Sequence, residues 1–138
     1  MDKIDIRDLR VGDWLSVHHP TMPAENIKIS ADWIRTIERI NNGLIKEDSP
    51  LFRIVEPIPL TTTIVEKNFN YAVYNEYGYY QLNEDFCLRG LDLKFFLCHW
   101  EDIEYSAYQC PKYLFSVDSV HQLQNLLRDL LIEKEITI

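Results

Sequence analysis

Few side chains in this sequence have the types and spacing that chemistry needs, and the histidines are the first candidates. His18 and His19 are adjacent, so on a strand their rings would point to opposite faces, and only an irregular loop would let them share a metal ion. A polar loop is the more common role of such a pair. The same alternation argues against Cys98 and His99 as a nucleophile–base pair. Spacing gives no support to a dyad of His121 with a distant cysteine.

Acidic side chains gather at residues 84–85 and 101–104. Paired carboxylates can transfer protons or bind a metal when burial and spacing cooperate, and the neighbouring Trp100 is compatible with a sugar site. Charged turns between strands are far commoner than either. The chain has none of the glycine-rich phosphate motifs, zinc-protease motifs or nucleophile elbows, and its four glycines are scattered. We therefore predict that the protein is not an enzyme and has no catalytic, cofactor-binding or metal-binding residue.

The three cysteines are odd in number and show no C-x-x-C pairing, which predicts reduced, structural thiols. No apolar run is long enough to span a membrane and the N-terminus has no apolar signal core, so we expect a cytoplasmic protein without membrane contact.

The net charge of −8 is unevenly distributed. Residues 47–110 hold eleven acids and four bases, and such an acidic surface would repel nucleic acid and attract a basic protein. Residues 1–46 hold seven of each. An alternative role as a nucleic-acid-binding accessory protein would use the basic residues of that segment: Arg7, Arg10, Lys28, Arg35, Arg39 and Lys46.

Aromatic residues are concentrated in one part of the chain: fourteen of the seventeen lie between residues 69 and 115. They can fill a core and form cross-strand pairs. They can also expose a tyrosine-rich surface of the kind favoured at protein interfaces. The candidate partner-binding residues of this hairpin are Tyr74, Glu76, Tyr77, Tyr79 and Tyr80.

The N-terminal third reads as a set of short strands. Residues 11–17 and the alternating stretch 31–40 are predicted strands, and Asn42-Gly43 after the second is a strong hairpin signal. Residues 44–45 and 51–58 would supply the returning strands. This pattern predicts an SH3-like small barrel or roll.

The middle of the chain combines a short helix with a hairpin-rich sheet. Thr61 or Thr63 would cap the helix, and residues 71–82 would form a hairpin around residues 75–78. Residues 86–100 read as one long strand whose apolar parity switches at Arg89-Gly90. That switch indicates a β-bulge there, with a tight turn as the alternative.

The stretch SVHQLQNLLRDLLIEK, residues 119–134, predicts an amphipathic helix whose leucine stripe faces the core. The opposite strip carries His121, Gln124 and Asn125. It is either a solvated face or a second partner-binding edge.

Three segments resemble a family of small proteins of uncharacterised function in Bacteroides-type bacteria, their phages and mobile elements. They are RDLRVGDWL, EPIPLT and VHQLQNL, in this order and roughly this spacing. The resemblance implies a gene carried by mobile DNA, in a context where small acidic proteins often act by binding another protein, including host nucleases.

Together these features predict an α+β protein with antiparallel sheets, a short middle helix and a C-terminal amphipathic helix. We expect one domain, 1–138, with a β-rich lobe over 1–60 and a second lobe over 61–138. The expected function is non-enzymatic binding of a host or phage protein, such as a host defence nuclease.

Overall fold

The computed structural model describes residues 4–104 and 106–138. Tyr105, one of the clustered aromatic residues, and residues 1–3 of the expected first lobe lie outside the described residues. The chain is α+β with a three-stranded and a five-stranded antiparallel sheet, as its sequence predicts. It divides into two compact units. Unit 1 comprises Met1–Pro59 and Ser119–Asn125, and unit 2 comprises Leu60–Asp118 and Leu126–Ile138.

Unit 1 is built on a small sheet in the order β2-β1-β3. A short 3-10 helix, Ile6–Asp8, precedes β1 at Trp14–His18, β2 at Glu25–Lys28 and β3 at Ile54–Pro57. Apolar side chains of the N-terminal segment, the sheet and a helix over Ala31–Asn41 share one core, which includes Leu15, Ile29 and Ile37. The sequence predicts four or five strands in an SH3-like barrel or roll. Unit 1 instead has a three-stranded sheet packed with a helix.

The prediction of a strand over residues 31–40 is wrong, because Ala31–Asn41 form helix α1. Ser30 caps the helix, since its hydroxyl accepts a hydrogen bond from the backbone N–H of Trp33. Trp33, Ile34 and Ile37 pack into the core from this helix, at the i, i+1 and i+4 spacing of one helical face. The β-branched residues of this segment therefore lie along one face of a helix and do not alternate across a strand.

The Asn42-Gly43 pair ends helix α1 and does not turn a hairpin. The Asn42 N–H donates to the Glu38 carbonyl, and Gly43 takes a φ of +77°. Glycine tolerates this left-handed conformation, which is common just after a helix. Residues 44–45 consequently lie in a bend and not in a returning strand.

Unit 2 contains the second sheet, in the order β4-β5-β6-β7-β8. Helix α2 at Thr62–Asn68 precedes it, capped by Thr61. The strands are β4 at Tyr71–Tyr74, β5 at Tyr77–Gln81, β6 at Phe86–Leu91, β7 at Lys94–Asp102 and β8 at Gln109–Val117. The predicted helix and the hairpin over residues 71–82 are both confirmed.

The single long strand predicted over residues 86–100 is wrong, because it is the β6–β7 hairpin. Its turn is Asp92-Leu93, where both residues have positive φ, whereas the predicted bulge or turn was at Arg89-Gly90. Leu91 and Leu93 are largely exposed, so they do not continue the apolar face of the strand. A register shift does occur elsewhere in the sheet: Leu114 of β8 is the extra residue opposite the Leu97/Cys98 step of β7.

Helix α3 spans Val120–Asp129, shorter than the sixteen-residue stretch from which it was predicted. Val120, Leu123 and Leu127 are buried, which confirms the core-facing stripe. Leu131 lies beyond the helix with a φ of +59° and is 90% exposed, so it is not part of the stripe. The boundary between the two units falls within α3, after Asn125.

Candidate functional site

The β4–β5 hairpin positions the first group of candidate residues. Asn75 and Glu76 have φ values of 48° and 70°, the signature of a two-residue type I′ turn. Such a turn matches the twist of the flanking strands, so Tyr74 and Tyr77 pair directly across the hairpin. Glu76 is exposed at its tip.

Strand alternation separates the rings of this sheet into two faces. One face carries Tyr80, Leu88, Phe95 and Leu97, all buried. The other, which we call the ring face, carries aromatic residues of four strands. They are Tyr74, Tyr77, Tyr79, Phe96, Trp100 and Tyr113.

Trp100 holds the centre of the ring face. Its ring meets those of Tyr74 and Tyr79 edge to face, with centroids 5.7 Å and 5.0 Å away. Its indole N–H donates to the side-chain oxygen of Gln81 over 3.1 Å. This geometry, favoured by the ring quadrupoles, fixes the orientation of both tyrosines while Tyr74 remains 36% exposed.

Arg89 contacts two tyrosines of the ring face, a role that the sequence analysis did not predict. Its guanidinium carbon lies 5.0 Å from the Tyr77 ring centroid and 5.5 Å from that of Tyr113. Its Nε donates to the Gly78 carbonyl over 3.0 Å, and Nη1 donates to the Tyr113 hydroxyl over 2.5 Å. The β6–β7 register reveals this arrangement, whereas the sequence predicts a bulge or turn at this residue.

A shallow depression of about 290 Å³ opens beside Trp100. Tyr74, Tyr79, Gln81, Glu84, Trp100 and Gln109 line it. Its acidic member, Glu84, belongs to one of the two acidic groups noted in the sequence. The depression presents mainly hydroxyl, amide and carboxylate groups, which suits hydrogen bonding to a polar partner.

Two thiols lie beneath the ring face. Cys87 and Cys98 are directly opposite each other in β6 and β7, fully buried, and packed with Trp100, Tyr79 and Phe96. A hydrogen bond with Cys98, followed by burial, raises the pKa of the Cys87 thiol. Both cysteines are free, in keeping with the prediction of structural thiols.

Tyr80 does not belong to the candidate surface. It is 5% exposed on the opposite face of the sheet, and its hydroxyl lies 3.4 Å from a carboxylate oxygen of Glu66 in α2. Burial and then this acidic neighbour raise the pKa of the Tyr80 hydroxyl. Because the side chains of Tyr79 and Tyr80 alternate across the strand, only one of them can reach the ring face.

The second predicted edge, on α3, is largely buried. Gln124 is 7% exposed; its side-chain oxygen accepts the Trp14 N–H over 2.8 Å, and its amide nitrogen donates to the Gly12 carbonyl over 3.0 Å. The Asn125 amide donates to the Asp8 carbonyl. Both amides bind the backbone of the N-terminal segment; Gln124 is thereby removed from the surface, whereas Asn125 remains half-buried.

His121 is also buried, at 7% exposure, with its Nδ1 3.1 Å from the Ser119 hydroxyl. Burial lowers the pKa of His121, while Asp13 and Asp8 oppose that shift. His121, Gln124 and Asn125 are all part of unit 1, whereas the tyrosine hairpin is part of unit 2. The hypothesis that they form a partner-binding edge is wrong for His121 and Gln124, because burial removes them from the surface.

The basic residues proposed for nucleic-acid binding are partly neutralised. Arg7 forms a 2.7 Å ion pair with Asp5, and this carboxylate raises the pKa of Arg7. Arg35 pairs with Asp32 one turn away on α1. These internal pairs weaken the case for a phosphate-binding surface, which needs cations available to phosphates.

Within the described part of the chain, no three histidine, cysteine or acidic side chains converge as a metal site would require. Among the same residues, each helix is too short or too polar to cross a membrane. No family model, curated protein or solved structure matches this chain.

Proposed function

We propose that the protein is a non-enzymatic binding protein that contacts another protein through the ring face. The observation that carries this proposal is the partly exposed set of tyrosines held in place by Trp100 and Arg89. Tyrosine combines a large contact area with a polar tip, and rings that are already ordered lose little conformational entropy on binding.

The partner that this surface fits is a basic protein. Exposed carboxylates accompany the rings: Glu76 at the hairpin tip, Glu84 beside the depression and Asp102 at the end of β7. Opposite charge steers association and disfavours acidic partners. A host defence nuclease, whose nucleic-acid-binding surface must be basic, is the partner class that we propose, consistent with a phage- or mobile-element-borne gene.

The test compares the wild-type chain with the double variant Glu76→Lys/Glu84→Lys. A partner is first recovered from the native host by affinity purification and identified by mass spectrometry. Its purified form is then titrated with each chain. We expect the double variant to weaken binding at least tenfold and to alter its salt dependence, because two attractive charges become repulsive.

Glu47→Lys/Asp48→Lys is the matched control, since it reverses two exposed acids of unit 1 and leaves the ring face intact. Equal affinity for both double variants would refute the proposed surface. Salt-sensitive DNA binding in an anisotropy titration, lost on replacing Arg10 and Arg39, would instead support the nucleic-acid alternative.

A further inference from the structure

A second depression, of about 480 Å³, is lined by residues of unit 1, none of which is used in the proposed function. Its volume falls within the range of small-molecule sites. It brings together groups that are scattered in the sequence. The six that matter are His18, His19, Met22, Glu25, Trp33 and Arg53.

A backbone carbonyl determines which nitrogen of the neutral His18 ring carries the proton. Its Nδ1 lies 3.0 Å from the His19 carbonyl oxygen, and a carbonyl can only accept. Nδ1 therefore carries the proton, and Nε2 keeps its lone pair in the neutral ring.

His19 has the opposite tautomer. The Thr21 backbone N–H donates to His19 Nδ1 over 3.3 Å, so Nδ1 accepts and the proton of the neutral ring lies on Nε2. The Thr21 hydroxyl, 2.9 Å from the same nitrogen, can only donate to it. His19 thus presents an Nε2–H donor even when it is uncharged.

Arg53 adds a permanent positive charge. Its Nη1 donates to the carbonyls of Pro50 and Phe52 over 2.9 Å and 2.7 Å, which fixes the position of the guanidinium. Among the residues that the structure describes, no carboxylate pairs with Arg53, and its Nε and Nη2 donors make no hydrogen bond. A partly buried guanidinium with donors to spare is well suited to an oxyanion.

The other residues that line the depression indicate which groups a ligand would carry besides an anion. Trp33 packs against the core of unit 1 and is partly exposed, and Met22 is 62% exposed, so both offer apolar surface to a flat ring. Glu25, the one carboxylate of the lining, is an acceptor for ligand hydroxyl groups. An inorganic anion would contact neither the apolar surface of Trp33 and Met22 nor the Glu25 carboxylate.

We propose that this depression binds an organic phosphate with a planar apolar body and hydroxyl groups, the chemistry of a nucleoside monophosphate. The phosphate contacts Arg53 and His19, the planar body lies against Trp33, and a sugar hydroxyl donates to Glu25.

Isothermal titration with AMP, adenosine and inorganic phosphate tests the proposal on the full chain. AMP should bind at least tenfold more tightly than either fragment, because it alone satisfies both halves of the depression. Chemical shifts of the Trp33 indole and the two imidazoles should change on titration. No binding at about 1 mM AMP, or equal affinity for AMP and phosphate, would overturn the proposal.

Arg53→Gln should weaken AMP binding about tenfold or more, the effect of losing a charge-assisted contact. Arg35→Gln is the matched control: it removes an exposed arginine of the same unit that does not line the depression. Because Arg53 also binds two backbone carbonyls, His19→Phe is a second variant, which removes the Nε2 donor together with the Nδ1 acceptor of Thr21 and leaves Arg53 in place. Circular dichroism reports the folding of both variants. Identical affinities for these variants and the control would contradict the assignment.

Discussion

Replacing Gln124 with leucine should destabilise unit 1 although the substitution preserves size and apolar packing. The Gln124 side chain forms two hydrogen bonds with the N-terminal segment, to the Trp14 N–H and the Gly12 carbonyl. Leucine can make neither. The side chain is 7% exposed, so water cannot readily replace the lost partner.

The expected loss follows from these two bonds. A buried backbone group left without a partner costs about 1–3 kcal/mol. The two groups here are only part-buried, so together they give a loss of about 2–4 kcal/mol in the free energy of unfolding. This is a large part of the roughly 5–15 kcal/mol typical of a whole domain.

The assay is urea unfolding followed by tryptophan fluorescence, together with hydrogen exchange of the Trp14 amide. Gln122→Leu is the control, because it makes the same change at an exposed position of the same helix. We expect a loss below about 0.5 kcal/mol for the control. If both variants unfold alike and the Trp14 amide stays equally protected, the assigned role of Gln124 is refuted.

Three further outcomes are expected. Because burial lowers the pKa of His121 below its usual 6.5, the unfolded chain takes up a proton first as the pH falls. The wild type should therefore lose more stability than His121→Gln between about pH 7.5 and about pH 5.5 in urea unfolding, and parallel losses would contradict this. Of the three thiols, Cys110 alone should react readily with a thiol reagent in the native state, since Cys87 and Cys98 are buried; rapid labelling of all three would count against that burial. Leu93→Gly should raise the free energy of unfolding by about 0.5–1 kcal/mol, because a fully exposed leucine at φ +66° is strained, and a loss of stability would argue against the turn assignment.

Local signals in the sequence predict an element correctly where one interaction between neighbouring residues determines it. The capping threonine predicted helix α2, and the turn residues around Asn75 predicted the tyrosine hairpin, because both depend on neighbours within a few residues. The sequence favours a strand for helix α1 because β-branched and aromatic residues dominate residues 31–40 and Asn42-Gly43 follows directly, although the three-residue spacing of Ile34, Ile37 and Ile40 fits a helix. The Ser30 cap and the core around Ile37 decided in favour of the helix.

The candidate site was predictable in composition but not in arrangement. The concentration of tyrosines is visible in the sequence, and alternation separates Tyr79 from Tyr80, yet which of the two is buried depends on which side of the sheet faces the core. The contribution of Arg89 requires the pairing of β6 with β7, and the buried role of Gln124 requires a contact more than a hundred residues away. No periodicity within a short window encodes such partners.

The sequence by itself determined the α+β class, the two helices that follow clear capping or stripe signals, and the acidic, aromatic character of the middle segment. Tertiary structure decided which polar residues are surface and which are internal. The reason is physical: amide and imidazole side chains gain as much from a buried backbone partner as from water, so only the folded environment determines which of the two they meet.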